Sequence, residues 1–170
     1  MFRCNFILLL LVTVTYGYGQ DLNELEKRHG FKDIRLDSHI DSVKGTKLKK
    51  EFKEKDEFQA RLYSVEHPDY EKIGEVKVDK IELKTYKDII YEISVVTDKD
   101  PRMMKALESL YGKAEYDLKN ETYFWKTNNL VLKFRSESKN RLELVYTSYL
   151  VHKTMKDDKN KKVVDIADDF

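Results

Sequence analysis

The sequence predicts an α+β protein, an antiparallel sheet with two helices packed on one face. Three observations carry that prediction. Segments such as Phe58–Leu62 alternate apolar and polar residues, and Ile89–Thr97 is a β-branched run; both are strand patterns. Pairs such as Asn128-Asn129 and Lys139-Asn140 separate neighbouring runs by two residues, which suits antiparallel hairpins. Asp100-Pro101 opens one clear amphipathic helix, and Gly112 closes it.

Taken in order, residues 1–19 read as a secretory signal peptide. Arg3 supplies a charged start, Phe6 to Val14 is apolar except for Thr13, and Gly17 and Gly19 form a small-x-small site. The apolar run is too short for a permanent span, which needs about 20 residues. Cleavage after Gly19 would leave Gln20 first, with no transmembrane span remaining. Cys4 precedes the apolar run, whereas a lipid-bearing cysteine would follow it.

Residues 20–150 then form a single α+β domain. Asp21 to His29 is a short helical turn, and Phe31, Ile34 and Leu36 suggest a first strand. Asp37 or Ser38 caps a predicted helix to Lys44, with Ile40 and Val43 facing the core and Gly45 ending it. Lys47 to Glu57 is mostly charged and reads as an exposed connection. After the strand at Phe58, His67-Pro68-Asp69 makes a turn. In the strand from Glu75 to Lys84, Val76 and Val78 share one parity and Ile81 and Leu83 the other. A bulge near Asp79-Lys80 would put both pairs inside. Lys87-Asp88 turns the chain into Ile89–Thr97. In the helix after Pro101, Met103, Met104, Leu107 and Leu110 form one apolar face. Strands at Thr122–Thr127, Leu130–Ser136 and Arg141–Tyr149 follow. Residues 151–170 read as a charged tail or one short helix around Val163, Val164 and Ile166. A faint echo of strand, Asp-capped helix, Gly and strands links 31–65 with 89–136.

Composition narrows the chemistry. The chain has 32 Lys+Arg and 31 Asp+Glu; without Arg3 the exported part carries 31 of each and is formally neutral. That argues against a nucleic-acid-binding protein, which needs a net basic face. Charged residues make up 37%, yet the apolar residues are periodic, so a charged-surfaced folded domain fits better than disorder. The one cysteine leaves with the signal peptide, so the mature chain has neither a disulfide nor a thiolate metal site. This tilts the expected location to a bacterial envelope: secreted or periplasmic. Asn120-Glu121-Thr122 fits a glycosylation sequon, relevant only in a eukaryotic source.

No cofactor or metal site is expected. His29, His39, His67 and His152 show no metal-ligand spacing and read as surface residues. There is no GxSxG and no glycine-rich phosphate loop. Asp157-Asp158-Lys159-Asn160 lacks the glycine of a calcium loop. Lys153, Lys156, Lys159, Lys161 and Lys162 make the tail basic, but Asp157 and Asp158 dilute any anionic-membrane contact.

Aromatics crowd the last third. Neighbours in Tyr123-Phe124-Trp125 point to opposite faces, so either Tyr123 and Trp125 are core and Phe124 is outside, or the reverse. One reading is cross-strand packing under the helices. The other is an open aromatic sheet face that binds a partner through Tyr123, Trp125, Phe134 and Tyr146.

Met103 to Lys113, with Leu110-Tyr111-Gly112 at its end, followed by Tyr123-Phe124-Trp125-Lys126 and a strand, resembles a known layout. It is similar to small envelope proteins of the β-lactamase-inhibitor-protein fold and the outer-membrane-assembly lipoprotein group, over about residues 100–136. Ala114 stands where that group often has Pro, and no lipid-bearing Cys follows the signal peptide. The resemblance implies an α/β fold and protein binding, and carries over no binding residues. The function expected is thus a non-enzymatic envelope protein that binds a protein partner through an aromatic sheet face. The alternatives are a binder of a small apolar ligand, or an enzyme whose acid–base carboxylates are invisible in sequence.

Overall fold

The structure, a computed structural model, describes residues 22–167. Residues 1–21, with the expected signal segment 1–19 and Cys4, and residues 168–170 lie outside the described residues. The elements are α1 (Leu22–Arg28), β1 (Gly30–Phe31), β2 (Ile34–Arg35), β3 (Thr46–Glu54), β4 (Phe58–Val65), β5 (Lys72–Ile73), β6 (Val76–Tyr86), β7 (Ile89–Asp98), α2 (Arg102–Tyr111), β8 (Glu115–Asp117), β9 (Thr122–Lys126), β10 (Leu130–Ser138), β11 (Arg141–Ser148) and α3 (Tyr149–Ala167). The architecture is α+β, with an antiparallel sheet ordered β3-β4-β6-β7-β11-β10-β9-β8 and β5 paired to β6.

Two meanders build this order. β3, β4, β6 and β7 follow one another; α2 then carries the chain to the far edge at β8, and the strands return until β11 pairs with β7. The β6–β7 turn holds Lys87 at φ 51° and Asp88 at φ 62°, the left-handed pair whose twist matches a two-residue hairpin. The bulge expected at Asp79 is present: Val78 pairs with Thr97 and Lys80 with Val96, so one residue is extra. It brings Val76 and Val78 onto the same core as Ile81 and Leu83.

That core lies on one side of the sheet. Leu83, Ile93, Leu132, Leu144 and Trp125 meet Leu25 of α1 and Met103, Leu107 and Tyr111 of α2. Asp100 stops β7 and starts α2 by accepting the Arg102 backbone N–H at 2.8 Å, and Gly112 ends the helix at φ 79°. Leu110, expected on the apolar face of α2, is exposed, and Tyr111 is buried in its place. A second, smaller cluster of Ala60, Tyr86, Tyr91, Val151 and Met155 lies on the opposite face. Tyr86 follows Leu83 by three residues, so its side chain points away from the first core. The first turns of α3 cover this cluster.

Three expectations are corrected. Residues 37–44 form a single 3₁₀ turn at Ile40–Ser42 instead of a helix, because Asp37 and Ser38 bond across to β7 and no further turn propagates. The echo of 31–65 in 89–136 therefore lacks its helix. Residues 47–57, read as a connection, are largely β3, an edge strand with lysines on both faces and only Phe52 seated near the core. The C-terminal segment, expected as a charged tail or one short helix, is helical but longer than expected: α3 has 19 residues and is anchored at its start by Val151 and Met155.

Asp37 ties these parts together. Its backbone takes φ 61°, and its N–H donates to the Ile90 carbonyl at 2.8 Å. One carboxylate oxygen lies 2.7 Å from His29 Nε2 at the end of α1. The other accepts from the Ser148 hydroxyl, whose oxygen in turn accepts the N–H groups of Leu150 and Val151 and caps α3. His29 is thus half-buried and bonded, not a free surface residue. Asp37→Ala is expected to lower unfolding free energy in urea by about 1.5–3 kcal/mol, the usual value of bonds to a charged group. Asp37→Asn, which keeps an acceptor and tolerates the left-handed backbone, should lose less. Equal stability of Asp37→Ala and the parent protein would show the clamp to be idle.

Candidate functional site

The four aromatics singled out in the sequence share one face of the sheet. Leu132 pairs with both Trp125 and Tyr146, and Phe134 pairs with Tyr123, which aligns their side chains. That face is the one α2 covers, so Phe134 and Tyr146 are buried and Trp125 is only 1% exposed. Tyr111 of α2 stands edge-on to Trp125 with ring centroids 6.1 Å apart. The Trp125 indole N–H donates to the Gly112 carbonyl at 2.7 Å, which satisfies its polar atom inside the core. The open aromatic face is therefore corrected for Trp125, Phe134 and Tyr146: they are packing residues. Tyr123 has the same parity but lies beyond the shelter of α2, and is 40% exposed. Phe124, on the other face, is half-buried.

Tyr123 has a partner that sequence reasoning missed. β8 brings Tyr116 opposite it, with ring centroids 4.6 Å apart at 44°. Tyr116 is 45% exposed, and Leu118 in the following turn is 83% exposed. Residues 113–119 read Lys-Ala-Glu-Tyr-Asp-Leu-Lys, a strict charged/apolar alternation that could have marked this strand. The turn is fixed by Asp117, whose carboxylate accepts the Lys119 backbone N–H at 3.0 Å and the Asn120 side-chain amide at 2.6 Å. The bonds from Asn120 lead in holding the Asp117 pKa below its ordinary value. β8 is the last strand of the sheet order, so its outer backbone edge faces no strand among the described residues.

The opposite edge differs. Lys47, Lys49, Lys50 and Lys53 line β3, with salt bridges to Glu66 at 2.5 Å and Glu82 at 2.7 Å. Lysine on an edge strand opposes strand addition, because pairing would bury its charge. The two ends of one sheet are thus unequally protected.

A polar network occupies the face under α3. The Tyr91 hydroxyl donates to Glu54 at 2.7 Å, and burial first, then Glu54, pushes its pKa up. Lys84 meets Glu92 at 2.9 Å; burial would lower its pKa, but the bond to Glu92 and the carboxylates around it raise it. Ser94 and Arg135 both donate to Glu143. His152 stacks edge-on to Tyr91 at 5.3 Å, and burial, then Lys55, lowers its pKa. Each carboxylate in this network has a donor or cation, which suits a structural role. Among the described residues no group of His, Cys, Asp and Glu could hold a metal ion. No described helix is long and apolar enough to cross a membrane.

No protein-family model matches the chain, and comparison with curated proteins and with solved structures finds no match.

Trp125→Ala is expected to cost about 3–5 kcal/mol in urea unfolding. Tyr123→Ala should stay within about 0.5 kcal/mol. A large loss at Tyr123 would make it a packing residue too. The histidine gives a pH prediction. Because the folded state holds His152 below its ordinary pKa, protons bind the unfolded chain better, and stability falls as pH drops through the unfolded value, about 6.5. Melting temperatures between pH 8 and 5 should therefore drop less steeply in His152→Phe, which keeps the ring against Tyr91. Superimposable profiles would remove His152 from the acid response.

Proposed function

We propose that this chain is an exported, non-enzymatic protein-interaction module of the cell envelope, and that its contact surface is the β8 edge around Tyr116, Leu118 and Tyr123. The observation that carries the reading is the exposed Tyr116–Tyr123 pair beside Leu118 on a sheet edge that pairs with no further strand among the described residues. Tyrosine gives a large contact area at low conformational cost, and its hydroxyl retains a polar bond when the ring is covered. The free backbone of β8 offers main-chain hydrogen bonds to an extended segment of a partner. The signal-peptide pattern of residues 1–19 favours the envelope, and the resemblance over residues 100–136 favours protein binding.

The test is affinity capture of the tagged protein from its host's envelope fraction, read by mass spectrometry. It is run in parallel with a Tyr116→Ser, Leu118→Ser, Tyr123→Ser variant. A dominant, salt-resistant partner that the variant loses, at an unchanged melting temperature, is the expected result. A partner held equally by the variant would move the interface elsewhere, and no partner at all would defeat the reading.

A further inference from the structure

A crevice of about 200 Å³ opens between the end of α1, the β1–β2 turn and α2, with Leu144 and Tyr146 in its lining. None of Tyr116, Leu118 and Tyr123 lines it. Most of its wall is apolar: Phe31, Ile73, Met103 and Leu107 contribute, and Ala106 forms part of the rim. An apolar cavity of about 150 Å³ holds benzene, so this space suits a small ring or a short acyl chain.

One end of the crevice is polar. Tyr111 and Tyr146 both line it, their hydroxyls bonded to each other, and burial first, then the neighbouring Tyr111, pushes the Tyr146 pKa up. A bonded pair of phenols uses one O–H between them and leaves the other to give. Arg28 stands close enough to act on both phenols by charge. Its Nε–H goes to Glu24 at 2.7 Å, which leaves the two Nη groups without a hydrogen bond among the described residues. Lys32, also in the lining, is held by the carbonyls of Asp69 and Lys72 instead of a carboxylate. The polar end and rim thus present two cations, one carboxylate and a spare phenol donor. An acceptor oxygen with negative charge complements them; a neutral or cationic head does not.

We propose that this crevice binds a small single-tailed carboxylate, with its head on Arg28 and Tyr111 and its tail along Met103 and Leu107. The site lies away from β8, so it stands or falls independently of the protein-binding surface.

Trp125 is the only tryptophan in the chain and packs against Tyr111, so its fluorescence reports on the crevice. The experiment titrates the purified protein with octanoate, and with octanol as the uncharged analogue of the same tail. Octanoate should give a saturable one-to-one change. Octanol should bind about tenfold more weakly, the weight of one charge-assisted bond. Tyr111→Phe should weaken octanoate about tenfold and octanol less, because a bond to a charged head is the stronger one. Ala106→Phe, a rim change outside the core, should abolish binding of both at an unchanged melting temperature. The proposal is overturned by the absence of saturable octanoate binding. Octanol binding as tightly as octanoate, or full octanoate affinity in Ala106→Phe, also overturns it.

Discussion

The pairing of β7 with β11 holds the two halves of this molecule together. Seven residue pairs, from Arg141 with Asp98 to Thr147 with Glu92, join a meander that ends at β7 to one that begins at β8. Because β11 must lie beside β7, α2 has to carry the chain across the sheet to its far edge. The helix that crosses also roofs the core: Met103, Leu107 and Tyr111 cover Trp125 and Leu144. The placement of the aromatics follows. Those beneath the roof are packing residues, and those past its edge, Tyr116 and Tyr123, meet solvent.

Much of the scaffold was legible because local chemistry decided it. Asp100-Pro101 and Gly112 bound α2 in sequence as in space. The parity change between Val78 and Ile81 has no packing solution other than a bulge, and the bulge is there. Elements whose signal is tertiary were hidden. β3 carries lysines on both faces because it is an edge, so it has no apolar alternation to read. α3 touches the core chiefly through Val151 and Met155, and the rest of its length has the composition of a solvated tail. Residues 37–44 carry capping residues for a helix but use them in bonds to β7 and to Ser148 at the end of β11.

The candidate site was half legible. The aromatic concentration was visible, but whether a ring is covered depends on how far α2 reaches, and no periodicity in β9 or β10 encodes that. The Tyr116–Tyr123 pair needs the β8–β9 register, although the alternation of residues 113–119 held the signal. The crevice beneath α2 has no sequence signature, since it is made by three elements that approach without filling the space between them.

The clamp at Asp37 has a consequence for assembly. Its bond to Ser148 spans 111 residues. A chain that emerges N-terminus first from a ribosome presents Asp37 long before Ser148 exists to receive it. Until β11 arrives, β7 has an open edge and α3 has no cap, so the first meander cannot finish its core alone. Such non-local closure slows folding. It makes the last strand the step that commits the chain, and keeps the core unfinished until β11 is available.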